Sequence, residues 1–251
     1  VSDDVLRLSW DDASSVDRLR GVLAALDAAG GPVSRRVEVA VASPSPRGVR
    51  TLLHQHGFRL EGRSRQSRQT ASGPADVLHY SRLADDPAEG RERFTAVMNS
   101  VTPRKRLIAH ALVTDAGGRV LLCETSFKAD FELPGGIVEP FESPRVGLVR
   151  ELTEEIGRPL AVGRVLVLDW LPPYLGWEDA LELIFDAGML DADAAAGLVP
   201  DGAEIVALHW LEPDAAASAM TPIAGRHLRA ALKAREAGES VYLEAGDVIG
   251  A

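Results

Sequence analysis

Three glutamates, at positions 151, 154 and 155, constrain this chain more than any other feature. They lie in the stretch from Gly136 to Arg158, GIVEPFESPRVGLVRELTEEIGR. Residues three and four apart share a helix face, so these carboxylates crowd together and repel, by roughly 0.2–0.5 kcal/mol for each i,i+4 pair. Something must offset that repulsion. A divalent cation that prefers carboxylate oxygens, such as Mg²⁺, does so and takes further ligands from water and substrate phosphates. The helix itself is well marked. Ser143 suits the N-cap and Pro144 the first helical position. Leu148, Val149, Leu152 and Ile156 form an apolar face beside the acids, so one side can be buried while the acids line its flank. Gly157 stops the helix, with Pro159 beyond it. Arg150, four residues before Glu154, can orient or screen that carboxylate. Upstream, Leu133-Pro134-Gly135-Gly136 predicts a turn that lets backbone carbonyls approach an ion closely.

The same stretch resembles the Nudix box, G-x5-E-x7-R-E-U-x-E-E-x-G-U, where U is a bulky aliphatic. Gly136, Glu142, Arg150, Glu151, Leu152, Glu154, Glu155 and Gly157 fall in register. Arg158 stands where the family has its last aliphatic, a change that bears on local packing rather than on metal binding. The resemblance implies an α/β/α sandwich with a mixed sheet over residues 105–251. It also implies hydrolysis of the pyrophosphate bond in a nucleoside diphosphate linked to another group. The residues point the same way. A carboxylate-bound Mg²⁺, or Mn²⁺, bridges phosphates and activates water. Glu151 and Glu155 are expected as main ligands, and Glu154 as ligand or base. The carbonyl of Gly135 or Gly136 completes the set. Glu142 and Arg150 hold the ligands in place. The base can also lie outside the box, where Glu178, Glu182 and Glu204 are candidates. A second reading from another class is a nucleotide-sensing or interaction protein that binds without hydrolysis.

Composition sets bounds on the rest. Of 251 residues, 46% are hydrophobic, enough for a sizeable core. The single cysteine, Cys123, excludes an internal disulfide and lies in an apolar run. No apolar run approaches the ~20 residues that span a bilayer, and the start VSDDVLRLSW carries no signal-peptide pattern. These features lead to the expectation of a cytoplasmic protein with no membrane partner. Net charge is −10 but uneven: 12 basic against 10 acidic residues up to position 85, then 15 against 27. The acidic second part argues against nucleic acid as a partner and suits a metal site for a small anionic diphosphate.

Residues 1–85 read as a small α/β unit: strand Val5–Ser9, helix Val16–Ala29 ending at Gly30-Gly31, strand Val37–Val41, helix Pro46–His56, then strands Phe58–Leu60 and Val77–Leu83 joined by a polar loop. Its LLHQHGFRLEGRSRQ and DVLHYSRL segments resemble the C-terminal half of GNAT acetyltransferases. The helix that would cradle a diphosphate is preceded by Asp11-Asp12-Ala13-Ser14-Ser15, whose aspartates repel such a group. The module is therefore read as structural, oligomerising or substrate-covering, and a homodimer is left open. Residues 86–104 read as a linker holding a short helix, Arg91–Asn99. The second domain begins at 105, with strands at Leu107–Val113, Arg119–Cys123, Val162–Trp170, Ala180–Asp186 and Ile205–Leu211. A helix at Ile223–Ala237 and a short strand at Val241–Leu243 follow. Tyr174 and Trp177 are candidates to stack on a base, and Lys128 to meet phosphate oxygens.

Overall fold

The computed structural model describes residues 4–10, 16–28, 34–45, 47–174 and 176–249. Two compact units divide at Pro103/Arg104. The first contains β1 (Val5–Trp10), α1 (Val16–Ala28), β2 (Arg36–Ser43), α2 (Arg47–Gln55), β3 (Arg59–Thr70), β4 (Gly73–Leu83) and α3 (Gly90–Val101). Its sheet runs β1-β2-β4-β3. The α1 crossover makes β1 parallel to β2, while β4 pairs antiparallel with both neighbours. Leu19 and Leu23 of α1 and Val49, Leu52 and Leu53 of α2 pack on Val37, Val39 and Val41.

Two expectations for this unit change. The supposed polar loop is mostly strand, β3 and β4 being 12 and 11 residues long. Polar side chains on both faces hide it: Asp76 pairs with Arg63 and accepts the Gln66 N–H at 2.7 Å, holding the bulged register. The short helix expected within the stretch read as a linker is present as α3, but it belongs to the first unit, docked on β3 where the Leu60 N–H donates to Ser100 Oγ at 3.1 Å. Asp11 to Ser15 and Gly30–Gly31 lie outside the described residues.

The second unit contains β5 (Arg106–Asp115), β6 (Val120–Thr125), β7 (Gly135–Ile137), α4 (Pro144–Ile156), β8 (Val165–Leu171), β9 (Ala180–Leu190), α5 (Ala192–Ala196), β10 (Ile205–Leu211), α6 (Pro213–Ala219), α7 (Pro222–Ala237), β11 (Val241–Glu244) and β12 (Asp247–Val248). A mixed sheet runs β10-β6-β5-β9-β8-β11-β12, with β7 added against β5. Helices cover both faces. On one, Leu148, Leu152 and Ile156 of α4 pack on Ala109, Ala111 and Val113. On the other, Ala216 and Ala217 of α6 and Leu228 and Ala231 of α7 pack on Leu112, Leu122 and Ile184. This is the mixed-sheet α/β/α sandwich expected. The two-sided cover explains the nearly unbroken apolar run of β5.

The box helix forms as its sequence dictates. Ser143 Oγ accepts the Val146 N–H at 3.4 Å, Pro144 opens the first turn, and Gly157 ends it at φ 78°. Leu148, Leu152 and Ile156 are fully buried, each contributing roughly 1.5–3 kcal/mol. Leu133–Gly136 is not a free turn. Gly135–Ile137 form a strand antiparallel to β5, and the Ala111 N–H donates to the Pro134 carbonyl at 2.9 Å. Backbone this close to a buried strand must pair its polar groups, which makes a strand of the tetrapeptide's second half. Among the described residues no helix is long and apolar enough to cross a membrane.

Candidate active site

The three helix acids differ in setting. Glu155 is 7% exposed, and its carboxylate accepts the Gly135 N–H at 2.7 Å. Burial pushes its carboxyl up to about 8; the Gly135 N–H and the His110 charge oppose this, while Glu151 and Glu132 add to it. Glu151 is half-buried and its carboxyl is also raised, first by burial, with Glu154 and Glu204 contributing and Arg150 opposing. Glu154 is 60% exposed.

One guanidinium gathers the set. Arg150 donates to Glu142 at 2.7 Å, to Glu151 at 2.9 Å and to Glu154 at 3.1 Å. Its fourth partner is the Ile137 carbonyl at 3.2 Å. Glu142 is held a second time by the Glu139 N–H at 2.7 Å, and the Arg150 bond keeps its carboxyl below the usual range. The structure thus brings Glu142, Arg150, Glu151, Glu154 and Glu155 together beside β7.

The glycines of β7 make that approach feasible. Gly135 lies at φ 127°, and a Cβ there would meet the Ala109 carbonyl oxygen at 2.2 Å. A Cβ on Gly136 would sit 3.2 Å from the Glu151 carboxyl carbon. Carboxylate oxygens are hard donors, the type that suits Mg²⁺ or Mn²⁺. Among the described residues no group of three or more His, Cys, Asp or Glu side chains converges as a ready-made cation cage. Arg150 holds two of the acids, and Glu155 is turned to Gly135.

The other predicted residues are scattered around this centre. Lys128 ion-pairs with Glu132. Tyr174 and Trp177 exchange backbone N–H to carbonyl bonds at 3.2 and 2.9 Å, and both residues are about half exposed. Arg106 lies over the Trp177 ring, 4.5 Å from its centroid. Of the base candidates, Glu204 is exposed and near enough to raise the Glu151 carboxyl. Glu178 is exposed beside Trp177. Glu182 lies on the α7 side, 7% exposed, between His110 and His227; burial acts to raise its carboxyl, but the two histidines hold it low.

Sequence reasoning passed over that last group. His110 Nδ1–H donates to Glu182 at 2.8 Å. His227 Nδ1 lies 3.4 Å from the other Glu182 oxygen, and its Nε2 bonds Asp169. The Gly246 N–H donates to Asp169 at 2.8 Å. The available signal was an ionisable residue inside each of three apolar strands: His110 in β5, Glu182 in β9 and Asp169 in β8.

Comparison with known proteins fits this geometry. The sequence model of the NUDIX domain matches residues 104–232. The chain belongs to the Nudix family. The CTP pyrophosphohydrolase of Escherichia coli (strain K12) is 42% identical to it over 57 residues, 21% of this chain and 42% of that protein. The match thus spans less than half of that relative's length. Among solved structures, the MutT protein from Methanosarcina mazei Go1 is 21% identical, covering 56% of this chain and all of its own, with a TM-score of 0.44. The E. coli ORF135 protein is 26% identical, covering 53% of this chain and 93% of its own, with a TM-score of 0.43. In this Nudix protein the matched region begins at the start of the second compact unit and takes in β5 through most of α7.

Proposed function

We propose that this Nudix protein is a divalent-metal-dependent hydrolase that cleaves the pyrophosphate bond of a nucleoside diphosphate linked to another group. The carrying observation is the cluster Glu151, Glu154 and Glu155, the first two held by Arg150 and the third by the Gly135 N–H of β7. Glu151, Glu154, Glu155 and the Gly136 carbonyl would hold Mg²⁺, with Mn²⁺ as substitute. When bound, such an ion neutralises phosphate charge and eases activation of water.

The protein's own side chains do the rest. Arg150 and Glu142 fix the acids in register, so little reorganisation is needed when substrate arrives. Glu154, the most exposed acid, is the one within reach of solvent and can accept a proton from an attacking water. Glu204 is the alternative base from outside the box. Trp177, backed by Arg106, and Tyr174 offer faces for a nucleobase. Lys128, now engaged with Glu132, can exchange that partner for a phosphate oxygen. The first unit is read as a structural or substrate-covering module.

The test is a panel of nucleoside diphosphate derivatives, with CTP and sugar and prenyl diphosphates, incubated with Mg²⁺. Release of a nucleoside monophosphate is expected from at least one substrate, and Glu154→Gln or Glu155→Gln is expected to abolish it. Activity that survives both substitutions would remove the metal-site assignment. Tight nucleotide binding without turnover would replace hydrolysis with a sensing role.

A further inference from the structure

Among the described residues, three other than glycine adopt left-handed backbone: Gln66, Phe141 and Ala245. Gln66 lies in the β3 bulge held by Asp76, and Ala245 in the turn between β11 and β12. Phe141 lies between β7 and α4 at φ 73°, a region that crowds a bulky side chain and that glycine enters freely. The turn has its own cause. The Glu139 N–H donates to Glu142 Oε1 at 2.7 Å, and Arg150 holds the same carboxylate. That cause fixes the backbone but does not call for a phenyl ring. Phe141 is 110% exposed, so packing within the chain does not offset the strain either. A strained residue that the fold does not need points to a role at the surface.

Two further apolar side chains share this place. Ile137 and Val146 are each about half exposed. All three residues adjoin the Arg150–Glu142 ion pair. Arg150 donates to the Ile137 carbonyl at 3.2 Å, and Phe141 directly precedes Glu142. Val146 precedes Gly147, where a Cβ would meet the Glu142 carboxylate at 2.7 Å. The same Arg150 holds Glu151 and Glu154, so an apolar rim borders the acid cluster. None of its side chains can hydrogen-bond. A sugar laid there would lose water from its hydroxyls with nothing in exchange. An aromatic ring would cover apolar surface and stack on a phenyl group whose faces are open.

We propose that Phe141, with Ile137 and Val146, forms a subsite for the group linked to the nucleoside diphosphate, and that this group is an aromatic ring rather than a sugar. Phe141 is the specificity-determining contact. The inference deepens the diphosphate-hydrolase reading above and rests on it.

The test uses the full chain with Mg²⁺ and nucleoside α,β-methylene diphosphates, which resist cleavage between the phosphates. Each common ribonucleoside is tried with a phenethyl, isopentenyl or glucosyl ester. The phenethyl ester should bind about tenfold more tightly than the glucosyl ester, the size of one stacked ring. Phe141→Gly should remove most of that preference without lowering Tm, because glycine suits the turn. Phe141→Tyr should keep it. Phe141→Leu, which retains apolar bulk without a ring, should also lose most of it and serves if the glycine variant does not fold. Equal binding of the esters by the wild type, or no binding, would overturn the proposal. So would tighter binding of the isopentenyl ester, or a preference that survives both Phe141→Gly and Phe141→Leu. Loss of self-association as the only effect of these variants would make the rim a contact between copies and overturn it too. Hydrolysis is scored apart, on the oxygen-bridged esters. Should the wild type cleave none of them yet bind the phenethyl analogue with the stated preference, the hydrolase reading fails and the subsite stands.

Discussion

Arg150 gives the acid cluster its order. Its planar guanidinium reaches three carboxylates and a carbonyl at once, which the point charge of a lysine cannot reproduce. Arg150→Ala is expected to lower kcat/KM by about 10–100-fold, the usual effect of losing a partner that orients ligands; steady-state kinetics at saturating Mg²⁺ would show it, and Arg150→Lys should rescue little. His227 makes a different prediction. Burial lowers its basicity, yet the bonds to Asp169 and Glu182 raise its pKa to about 9. The folded value exceeds the unfolded one. Its contribution to stability is therefore whole below about 6.5, the unfolded value. It is lost as pH rises through about 9. Denaturant unfolding should show stability falling from pH 7 to pH 10, and His227→Gln should flatten that slope relative to wild type.

At the scale of elements, β7 is the short strand on which the site depends. Gly135→Ala would place a methyl 2.2 Å from a backbone oxygen at a φ of 127°. A strained, overpacked change of this kind costs about 1–3 kcal/mol or more. A drop in Tm together with loss of activity is the expected result, measured by thermal unfolding. The box helix was legible in the sequence because its signals are local: Ser143, Pro144, Gly157 and the spacing of Leu148, Leu152 and Ile156. The α/β/α layering was what the resemblance to the Nudix box implied, and the succession of strands and helices along the chain agreed with it. The His110–Glu182–Asp169 alignment was not legible. Each residue looks like a flaw in an apolar strand, and only the order β5-β9-β8 brings them side by side. That order is a non-local property, set by which strands pair after the crossovers form. The length of β3 and β4 was hidden for another reason. With polar side chains on both faces, the alternation that marks a half-buried strand is missing.

For the molecule as a whole, the boundary at Pro103/Arg104 carries a prediction. The acid cluster, both faces of its sheet and all their covering helices lie within residues 104–251. A fragment spanning 104–251 is therefore expected to unfold in one cooperative transition and to bind Mn²⁺ like the full chain, as calorimetry of the two would show. The C-terminal hairpin has a practical consequence. The Gly246 amide rests on Asp169, and the neighbouring Ala245 N–H donates to Trp170 at 2.9 Å. Tyr242, 45% exposed on the same hairpin, is thus an accessible position next to the Asp169–His227 pair. A fluorophore placed there would report on the pairing of Asp169 with His227, whereas a bulky purification handle at the same spot would strain the hairpin that closes over that pair.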